Sequence, residues 1–243
     1  MTETASPVTK ENAKFYAVVP AAGVGRRMGS DQPKQYLPIL GKTVLEYTLA
    51  TLLTEPQLRR VVVAIAAEDS EWCSLSIFDH PRIEVIEGGD ERSHSVLNGL
   101  QHLSIDCSGN DWVLVHDVVR PCIALSDIRK IIEQLADDTV GGILAVPVSD
   151  TIKQVNSSGA ITTTVDRSLL WQAQTPQMFR LGLLRDALAE GIAKQANLTD
   201  DASAVELAGL TPKVVEGSRA NIKITCPEDL SLAEYYLQKE VLS

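Results

Sequence analysis

Short apolar runs rich in β-branched residues alternate with segments of helical spacing along most of the chain, and this rhythm restricts the fold more than any other feature. The apolar runs occupy residues 15–19, 61–65, 83–86, 112–116 and 142–148. The segments with helical spacing occupy residues 44–53, 93–103, 126–135, 181–194, 200–207 and 227–238. Continuous β-branched runs are typical of strands covered on both faces, and strands that alternate with helices form right-handed βαβ units. We therefore predict an α/β fold in which helices flank a Rossmann-like, mainly parallel sheet.

Two helix starts carry capping signals. Thr43 and Glu46 have the spacing of a capping box at the start of the first helix. Thr225 and Glu228 have the same spacing before the last helix, with Pro227 in its first turn. We expect each pair to satisfy backbone N–H groups at its helix terminus.

The rhythm breaks between residues 149 and 174, where we predict a hairpin arm. Residues 153–156 and 161–165 are polar and β-branched in alternation, and a Ser-Ser-Gly turn at 157–159 joins them. A lone hairpin buries little surface, so the arm is either a surface flap or packs on a partner. An arm exchanged within a dimer is the more economical use.

Composition excludes several classes of protein. The chain has 243 residues, 44% of them hydrophobic, and a formal net charge of −10, which suits a globular enzyme rather than a nucleic-acid-coating protein. No apolar run approaches the ~20 residues of a membrane helix and no secretory signal is visible, so we predict a cytoplasmic protein. Four widely spaced cysteines argue against a zinc site or a disulfide framework. We expect a disordered tail over residues 1–14 and one domain over 15–243, with the arm inserted at about 149–174.

A glycine-containing loop with basic residues follows the first predicted strand. Residues 20–29 read Pro-Ala-Ala-Gly-Val-Gly-Arg-Arg-Met-Gly, which meets neither the dinucleotide fingerprint nor the P-loop pattern. Small residues at the carboxyl end of a strand let backbone N–H groups approach a phosphate. Arg26, Arg27 and Lys34 add three cations in an otherwise acidic protein. From the spacing alone, the segment is either a phosphate-binding loop or a solvated basic turn.

Together with Pro33-Lys34-Gln35, this loop resembles the signature of the nucleotidyltransferases with a Rossmann-like fold. Among them, the chain is most similar to the 2-C-methyl-D-erythritol 4-phosphate cytidylyltransferase family. Further matching segments follow in the family's order, at residues 88–92, 115–117, 120–121, 150–151, 165–167, 175–177, 216–219 and 221–223. The resemblance implies transfer of a cytidylyl group from CTP to 2-C-methyl-D-erythritol 4-phosphate, with release of pyrophosphate, in the non-mevalonate isoprenoid pathway.

The resemblance also implies roles for individual residues. Arg27, Lys34 and Lys223 would be catalytic cations that stabilise charge on the polyphosphate. Asp117 would hold Mg²⁺ or another divalent cation, the implied cofactor. The nucleotide-binding positions would be Ala21, Ala22, Gly23, Gly89, Asp90, Ser95, Val118 and Arg120. His116 is not expected to act as a general base, because an ionised phosphate nucleophile needs little deprotonation.

The predicted arm acquires a role through the same resemblance. The alcohol phosphate would be bound by Asp150, Thr151, Arg167 and Thr175. The arm would cross to the neighbouring subunit of a homodimer, so that Arg167 serves the neighbour's site. An Arg side chain suits a phosphate because its planar fork bonds two oxygens. The implied partners are CTP, a polyol phosphate and a second copy of the chain, with no nucleic acid and no membrane.

The chain departs from the family's usual pattern at four positions. Val118 and Val119 replace two alanines beside the implied metal ligand, and we expect their bulk to alter nucleotide affinity. Ala220 replaces an Asp, which removes a charge near Lys223, and Cys226 replaces an Arg in a place that looks peripheral.

Three other interpretations remain open on the sequence. The acceptor could be another polyol phosphate, such as ribitol 5-phosphate. The chain could also bind CTP without turnover, which the two valines make conceivable. A nicotinamide-dependent oxidoreductase is disfavoured, because the GxGxxG motif is missing and no acidic residue ends the second predicted strand.

Overall fold

A computed structural model of the chain describes residues 14–23 and 32–241. The strands of the described residues are β1 (Phe15–Pro20), β2 (Pro38–Ile39), β3 (Lys42–Thr43), β4 (Leu58–Ile65), β5 (Ile83–Glu87), β6 (Trp112–Val115), β7 (Gly141–Pro147), β8 (Ile152–Val155), β9 (Ile161–Val165), β10 (Trp171–Arg180) and β11 (Lys213–Glu216). The helices are α1 (Val44–Thr54), α2 (Arg92–Leu103), α3 (Leu125–Leu135), α4 (Leu181–Ala193), α5 (Asp201–Leu207) and α6 (Pro227–Val241).

Seven strands form one sheet in the order β11-β7-β10-β6-β1-β4-β5. β1 pairs in parallel with β4 on one side and with β6 on the other, and β4 pairs in parallel with β5. β10 runs antiparallel between β6 and β7, and β11 lies parallel to β7. The chain adds β4 and β5 on one side of β1 and then returns to its other side with β6. The carboxyl ends of β1 and β6 therefore flank the switch point, where open α/β sheets bind their ligands.

Two hydrophobic cores, one on each face of the sheet, explain why the central strands carry so few polar side chains. Along β1, Phe15, Ala17 and Val19 belong to one core, whereas Tyr16 and Val18 belong to the other. α1, α3 and α6 contribute to the first core, and α2, α4 and α5 contribute to the second. The predicted α/β fold with a mainly parallel, helix-flanked sheet is confirmed.

α2 approaches β1 closely at Gly99. A Cβ atom at this position would lie 2.6 Å from Cγ1 of Val18, so a larger residue would push the helix away from the sheet. This close approach places the N-terminus of α2 beside the switch point.

One of the two predicted capping boxes is confirmed and the other is corrected. At α1, Oγ1 of Thr43 accepts a hydrogen bond from the Glu46 N–H at 3.2 Å, and the Thr43 N–H donates to Oε2 of Glu46 at 2.8 Å. α6 begins one residue later than the pairing of Thr225 with Glu228 requires. The carboxylate of Asp229 accepts from the Thr225 N–H at 2.7 Å instead.

β10 and β11 are absent from the sequence-based prediction. β10 is rich in polar residues and contains Pro176, which removes a ladder hydrogen bond; the strand accommodates it with a register shift between Ala173 and Gln177. β11 is a four-residue edge strand. Residues 171–174, which the prediction assigns to the arm, are the start of β10 in the main sheet.

The predicted hairpin is confirmed as a separate two-stranded sheet of β8 and β9. The Asn156 N–H donates to the carbonyl of Ala160, and Gly159 has a φ of 80° in the predicted turn. Val155 and Ile161 are 53% and 64% exposed, so the hairpin presents apolar side chains outward.

Some predictions fall on residues that the structure does not describe. Of the predicted tail, Lys14 alone is described, and its carbonyl accepts a hydrogen bond from the Trp112 N–H. Arg26 and Arg27 also lie outside the described residues. Within the described ranges, no helix combines the length and apolar character needed to cross a membrane.

Candidate active site

A cleft of about 360 Å³ opens at the switch point between β1 and β6, and we call it the first cleft. Ala22 and Gly23 line it from the end of β1, and Asp117 lines it from the end of β6. The turn before α2 forms a further wall. The sheet topology thus gathers segments that are nearly 100 residues apart in sequence.

Asp117 is the central charged group of this cleft, and 7% of its side chain is exposed. Oδ1 accepts a hydrogen bond from Nε of Arg92 at 2.7 Å, and Oδ2 pairs with Nζ of Lys223 at 2.8 Å. Burial alone would raise the pKa of the Asp117 carboxyl, but Arg92 and Lys223 hold it well below its usual range. Asp117 is therefore an ionised carboxylate at neutral pH.

A hydrogen-bond relay fixes the backbone at Asp117. Its N–H donates to Oγ1 of Thr175 at 3.0 Å, and that hydroxyl lies 3.1 Å from Nδ1 of His116. Nε2 of His116 lies 3.2 Å from the carbonyl of Arg120, which can only accept, so Nε2 carries the proton and Nδ1 accepts from Thr175. Burial lowers the pKa of His116 to about 4. His116 is thus a neutral structural side chain.

Arg92 is a site residue to which the sequence analysis gives no role. Nη1 and Nη2 donate to the two oxygens of Asp201 at 3.1 and 2.8 Å, while Nε binds Asp117. Burial alone would lower the pKa of Arg92, but the two carboxylates raise it above its ordinary value. Arg92 ends the matching segment at residues 88–92 and directly precedes the predicted helix at 93–103. This position was the sequence feature that could have identified it as a site residue.

The segment before α2 is held tightly against the end of β1. The Gly89 N–H donates to Oγ of Ser95 at 3.0 Å. A Cβ atom at Gly88 would lie 2.6 Å from Cβ of Ala22, so this approach requires glycine. Gly89, Asp90 and Ser95 all line the first cleft together with Ala22, as the predicted nucleotide site requires.

Of the other residues predicted for this site, some line the first cleft and others do not. Nζ of Lys34 donates to the carbonyl of Ile224 at 3.1 Å, and Lys34 lines the cleft. Ala21, a predicted nucleotide-binding position, is buried and lines neither cleft. Its N–H donates to the carbonyl of Ala64 at 2.7 Å and its carbonyl accepts from Nε2 of Gln35 at 2.8 Å, so both backbone groups are already bonded within the protein. Arg27, the third predicted catalytic cation, lies outside the described residues.

A second cleft adjoins the first and shares Arg92, Asp117 and Lys223 with it. Arg120 and Thr175 line this second cleft. Nη1 of Arg120 donates to the carbonyl of Asn221 at 2.7 Å, and Nε lies 3.8 Å from Oδ2 of Asp117. Among the described residues, buried polar atoms without a hydrogen-bond partner include Nε of Arg120 and Oε1 of Gln174, another residue of this lining. Such atoms favour a polar occupant or ordered water.

Two of the four departures from the family pattern are accommodated by the core. Val118 and Val119 are about 5% exposed and belong to the core against α1 and α3, although both also line the first cleft. The Val118 carbonyl accepts a hydrogen bond from Oγ1 of Thr48 at 2.7 Å. The Ala220 N–H donates to Oγ of Ser218, and Cys226 donates its N–H to Asp229.

The predicted arm residues stand apart from both clefts of their own chain. Asp150, Thr151 and Arg167 are exposed and line neither cleft. Arg167 donates to the carbonyl of Ser149, and Nη1 of Arg219 donates to Oγ of Ser149 at 3.2 Å. The base of the arm is therefore fixed, while its substrate-binding candidates remain outside the site.

Comparison with known proteins decides the family. The family model of 2-C-methyl-D-erythritol 4-phosphate cytidylyltransferase (IspD) matches residues 15–239. The chain belongs to this family. A relative of that name from Pseudomonas savastanoi is 53% identical over 217 residues, which are 89% of this chain and 92% of the relative. One from Vibrio vulnificus is 51% identical over 233 residues, which are 96% and 98% of the two chains.

A solved IspD structure shares the fold as well. The structure of the Francisella tularensis protein superposes with a TM-score of 0.80 at 38% identity, covering 92% of this chain and 100% of that chain. Membership of the IspD family confirms the predicted nucleotidyltransferase class of enzyme. It also removes the oxidoreductase alternative.

Proposed function

We propose that the first cleft binds CTP and that the second cleft binds the acceptor alcohol phosphate. As an IspD enzyme, the chain transfers the cytidylyl group of CTP to 2-C-methyl-D-erythritol 4-phosphate in the non-mevalonate isoprenoid pathway. In this reaction a phosphate oxygen of the acceptor attacks the α-phosphorus, and pyrophosphate leaves. The observation that carries the assignment is the meeting of Asp117, Lys34 and Lys223 at the switch point of an acidic protein.

The chain's own groups meet the electrostatic demand of this transfer. The transition state gathers negative charge on the polyphosphate, and positioned cations stabilise it. Lys34 and Lys223 take this role, together with Arg27 from the loop outside the described residues. Gly89, Asp90 and Ser95 contact the base, while Ala22 and Gly23 offer backbone contacts to the phosphates. Val118 lines the same cleft.

Asp117 suits a divalent cation. Each of its oxygens accepts from one cation and keeps a further lone pair, and Mg²⁺ commonly takes one or two carboxylates besides phosphates and water. No group of three or more acidic, His or Cys ligands occurs in the described part of the chain, so the triphosphate would provide the other ligands. When bound, the ion supplies positive charge beside the α-phosphate.

The acceptor site combines two sources of residues. Arg120 and Thr175 line the second cleft, next to the proposed metal carboxylate. Asp150, Thr151 and Arg167 come from the arm of the other subunit in a homodimer. All three residues are exposed and line neither cleft of their own chain, which supports an arm that acts in trans.

The attacking phosphate oxygen is already anionic, so the site needs no general base. His116, the residue nearest to that role, is buried and has a pKa of about 4 because of its burial. Its ring instead holds Thr175 and the backbone of Asp117.

We also infer that the enzyme works in the cytoplasm. The four cysteines all lie in the described residues and none of them forms a disulfide bond, which suits a reducing compartment.

The deciding experiment measures pyrophosphate release from CTP and Mg²⁺ with 2-C-methyl-D-erythritol 4-phosphate as acceptor, beside ribitol 5-phosphate and erythritol 4-phosphate. We expect turnover with the methylerythritol compound at the highest kcat/KM and almost none with an Asp117→Asn variant. Folded protein that binds CTP but releases no pyrophosphate with any acceptor would contradict the proposal in favour of a CTP-binding homologue. A preference for ribitol 5-phosphate would overturn the acceptor assignment.

A further inference from the structure

Asp201 is a buried carboxylate that has no direct role in the proposed cytidylyl transfer. It lies in the first turn of α5, and its side chain is 0% exposed. Both of its oxygens accept hydrogen bonds from the guanidinium of Arg92, at 3.1 and 2.8 Å. A bidentate pair of this kind fixes both the position and the orientation of a guanidinium.

The start of α5 is itself anchored to the main sheet. Gln177 of β10 donates from Nε2 to Oδ2 of Asp200 at 2.9 Å and accepts from the Ala202 N–H at 2.9 Å. Asp200 also caps α5 by accepting from the Ser203 N–H at 2.9 Å. Gln177 therefore brackets Asp201 on both sides. These bonds hold Asp201 in a fixed position relative to β10. Gln177, which makes them, lies two residues after Thr175 in that strand.

Arg92 and Lys223 both bind Asp117, but they are not equally free to leave it. Lys223 pairs through one atom, and 39% of its side chain is exposed. Arg92 is tied to Asp201 as well, and its departure would leave a fully buried carboxylate without its cation. Leaving one member of a buried ion pair uncompensated is strongly unfavourable. Arg92 therefore stays with Asp117 more firmly than Lys223 does.

We propose that Asp201 is a positioning residue for Asp117. It holds Arg92, which keeps one oxygen of Asp117 in place, while Lys223 exchanges from Asp117 to the bound triphosphate. After that exchange Oδ2 of Asp117 has lost its hydrogen-bonded cation, which leaves this oxygen open to a divalent cation. This inference rests on the proposed function, because it requires a polyphosphate and a metal ion in the first cleft.

The test compares Asp201→Asn with a matched variant far from the site. Glu55 is also a buried carboxylate, 1% exposed, and pairs with Nε of Arg129 at 2.9 Å, so Glu55→Gln removes an equivalent charge. Mn²⁺ binding in the presence of CTP and without acceptor is followed by electron paramagnetic resonance, and kcat is measured separately. Loss of a residue that orients a metal ligand typically costs about 10- to 100-fold in metal affinity or activity. We expect that loss for Asp201→Asn and a change of less than about twofold for Glu55→Gln, which touches neither cleft.

An Arg92→Lys variant shows whether Asp201 acts through Arg92. Lys keeps the charge but cannot bind Asp117 and both oxygens of Asp201 together. We expect Arg92→Lys to lose Mn²⁺ affinity and kcat to a similar extent, and the added Asp201→Asn change to cost little more, because coupled residues are not additive. If Asp201→Asn fails to fold, Asp201→Glu takes its place in both the single and the double variant, because Glu keeps the charge but displaces the guanidinium that Asp201 orients.

The outcomes separate the two proposals. If the wild-type enzyme binds Mn²⁺ with CTP and turns over, and the Asp201 and Arg92 variants do so equally well, the positioning role is overturned and the proposed function stands. Fully additive losses in the double variant overturn it too. A wild-type protein that neither binds Mn²⁺ with CTP nor releases pyrophosphate overturns the proposed function and this inference together.

Discussion

Three basic side chains of different burial surround one carboxylate at the centre of the site. Arg92 binds Asp117 and a buried partner, Lys223 binds it from a half-exposed position, and Arg120 stands 3.8 Å away. Nη1 and Nη2 of Arg120 donate to the carbonyls of Asn221 and Ala173. The site thus separates cations that hold the protein together from cations that are able to follow a substrate.

Lys34 lines the first cleft, where its Nζ donates to the carbonyl of Ile224, and its removal tests the electrostatic mechanism. We expect Lys34→Met to lower kcat by about 10²- to 10³-fold, the usual cost of one lost donor to a developing anion. Lys42→Met is the control, because Lys42 is an exposed lysine that packs over the Tyr47 ring and lines neither cleft. Steady-state pyrophosphate release measures both. Equal rates for the two variants would contradict a role for Lys34 in charge stabilisation.

Thr175 has two candidate roles that kinetics can separate. The hydroxyl accepts from the Asp117 N–H and lies against His116, so Thr175→Val leaves buried polar groups unsatisfied. We expect the free energy of unfolding to fall by about 1–3 kcal/mol and kcat to fall, with Thr175→Ser close to wild type. Urea denaturation and steady-state kinetics measure these effects. A variant of unchanged stability that raises only the KM of the acceptor would identify a pure substrate contact.

At the residue scale, the sequence predicts which residues belong to the site better than it predicts which side chains pair with one another. The family resemblance predicts roles for Asp117, Ser95 and Gly89, and all three line the first cleft. The link from Arg92 to Asp201 joins residues 109 positions apart, so no local pattern could reveal it. Long-range pairing of this kind depends on how α5 docks against β10.

At the scale of elements, the predictions succeed where local periodicity decides the structure. α1 has both an apolar face and a complete capping box, and it forms where predicted. β10 lacks a periodic apolar pattern and contains Pro176, and its neighbours in the sheet, not its own sequence, make it a strand. Tertiary context overrides weak local preference in such segments.

The N-terminus of α6 offers a direct test of a corrected element. The Asp229 carboxylate accepts hydrogen bonds from Thr225 and Cys226. Burial alone would raise its pKa, but these bonds lower it to about 2. We expect Asp229→Ala to cost about 1–2 kcal/mol of unfolding free energy at pH 7, the usual value of a lost cap, and Glu228→Ala to cost much less.

The pH dependence of that difference follows from the lowered pKa. Asp229 binds a proton more weakly in the folded than in the unfolded chain, so its contribution is present above pH ~4 and is lost as pH falls through about 2. Urea denaturation at pH 7 and at decreasing pH measures the gap between wild type and Asp229→Ala. The cap formed by Asp229 would be contradicted if this stability difference did not change with pH, or if Glu228→Ala destabilised the protein more than Asp229→Ala. Either result would favour the predicted pairing of Thr225 with Glu228.

At the scale of the whole molecule, the arm is the feature that a single chain leaves unexplained. β8 and β9 form their own sheet and expose Val155 and Ile161, while Arg167 lies outside both clefts. An isolated hairpin is marginally stable in water, so the proposed homodimer would give the arm a surface to pack on. A symmetric dimer supplies such a surface twice, once for each arm.

Mixed dimers of two inactive variants decide whether the arm acts in trans. In a heterodimer of Asp117→Ala and Arg167→Ala chains, one site receives both defects if Arg167 serves the neighbour, and the other site receives none. Random mixing then restores about a quarter of wild-type activity, because about half of the dimers are mixed and each has one intact site. If Arg167 acts within its own chain, every site carries one defect and mixing restores nothing. Sedimentation of the mixture establishes whether dimers form, and an active monomer in the wild type would contradict the exchanged arm outright.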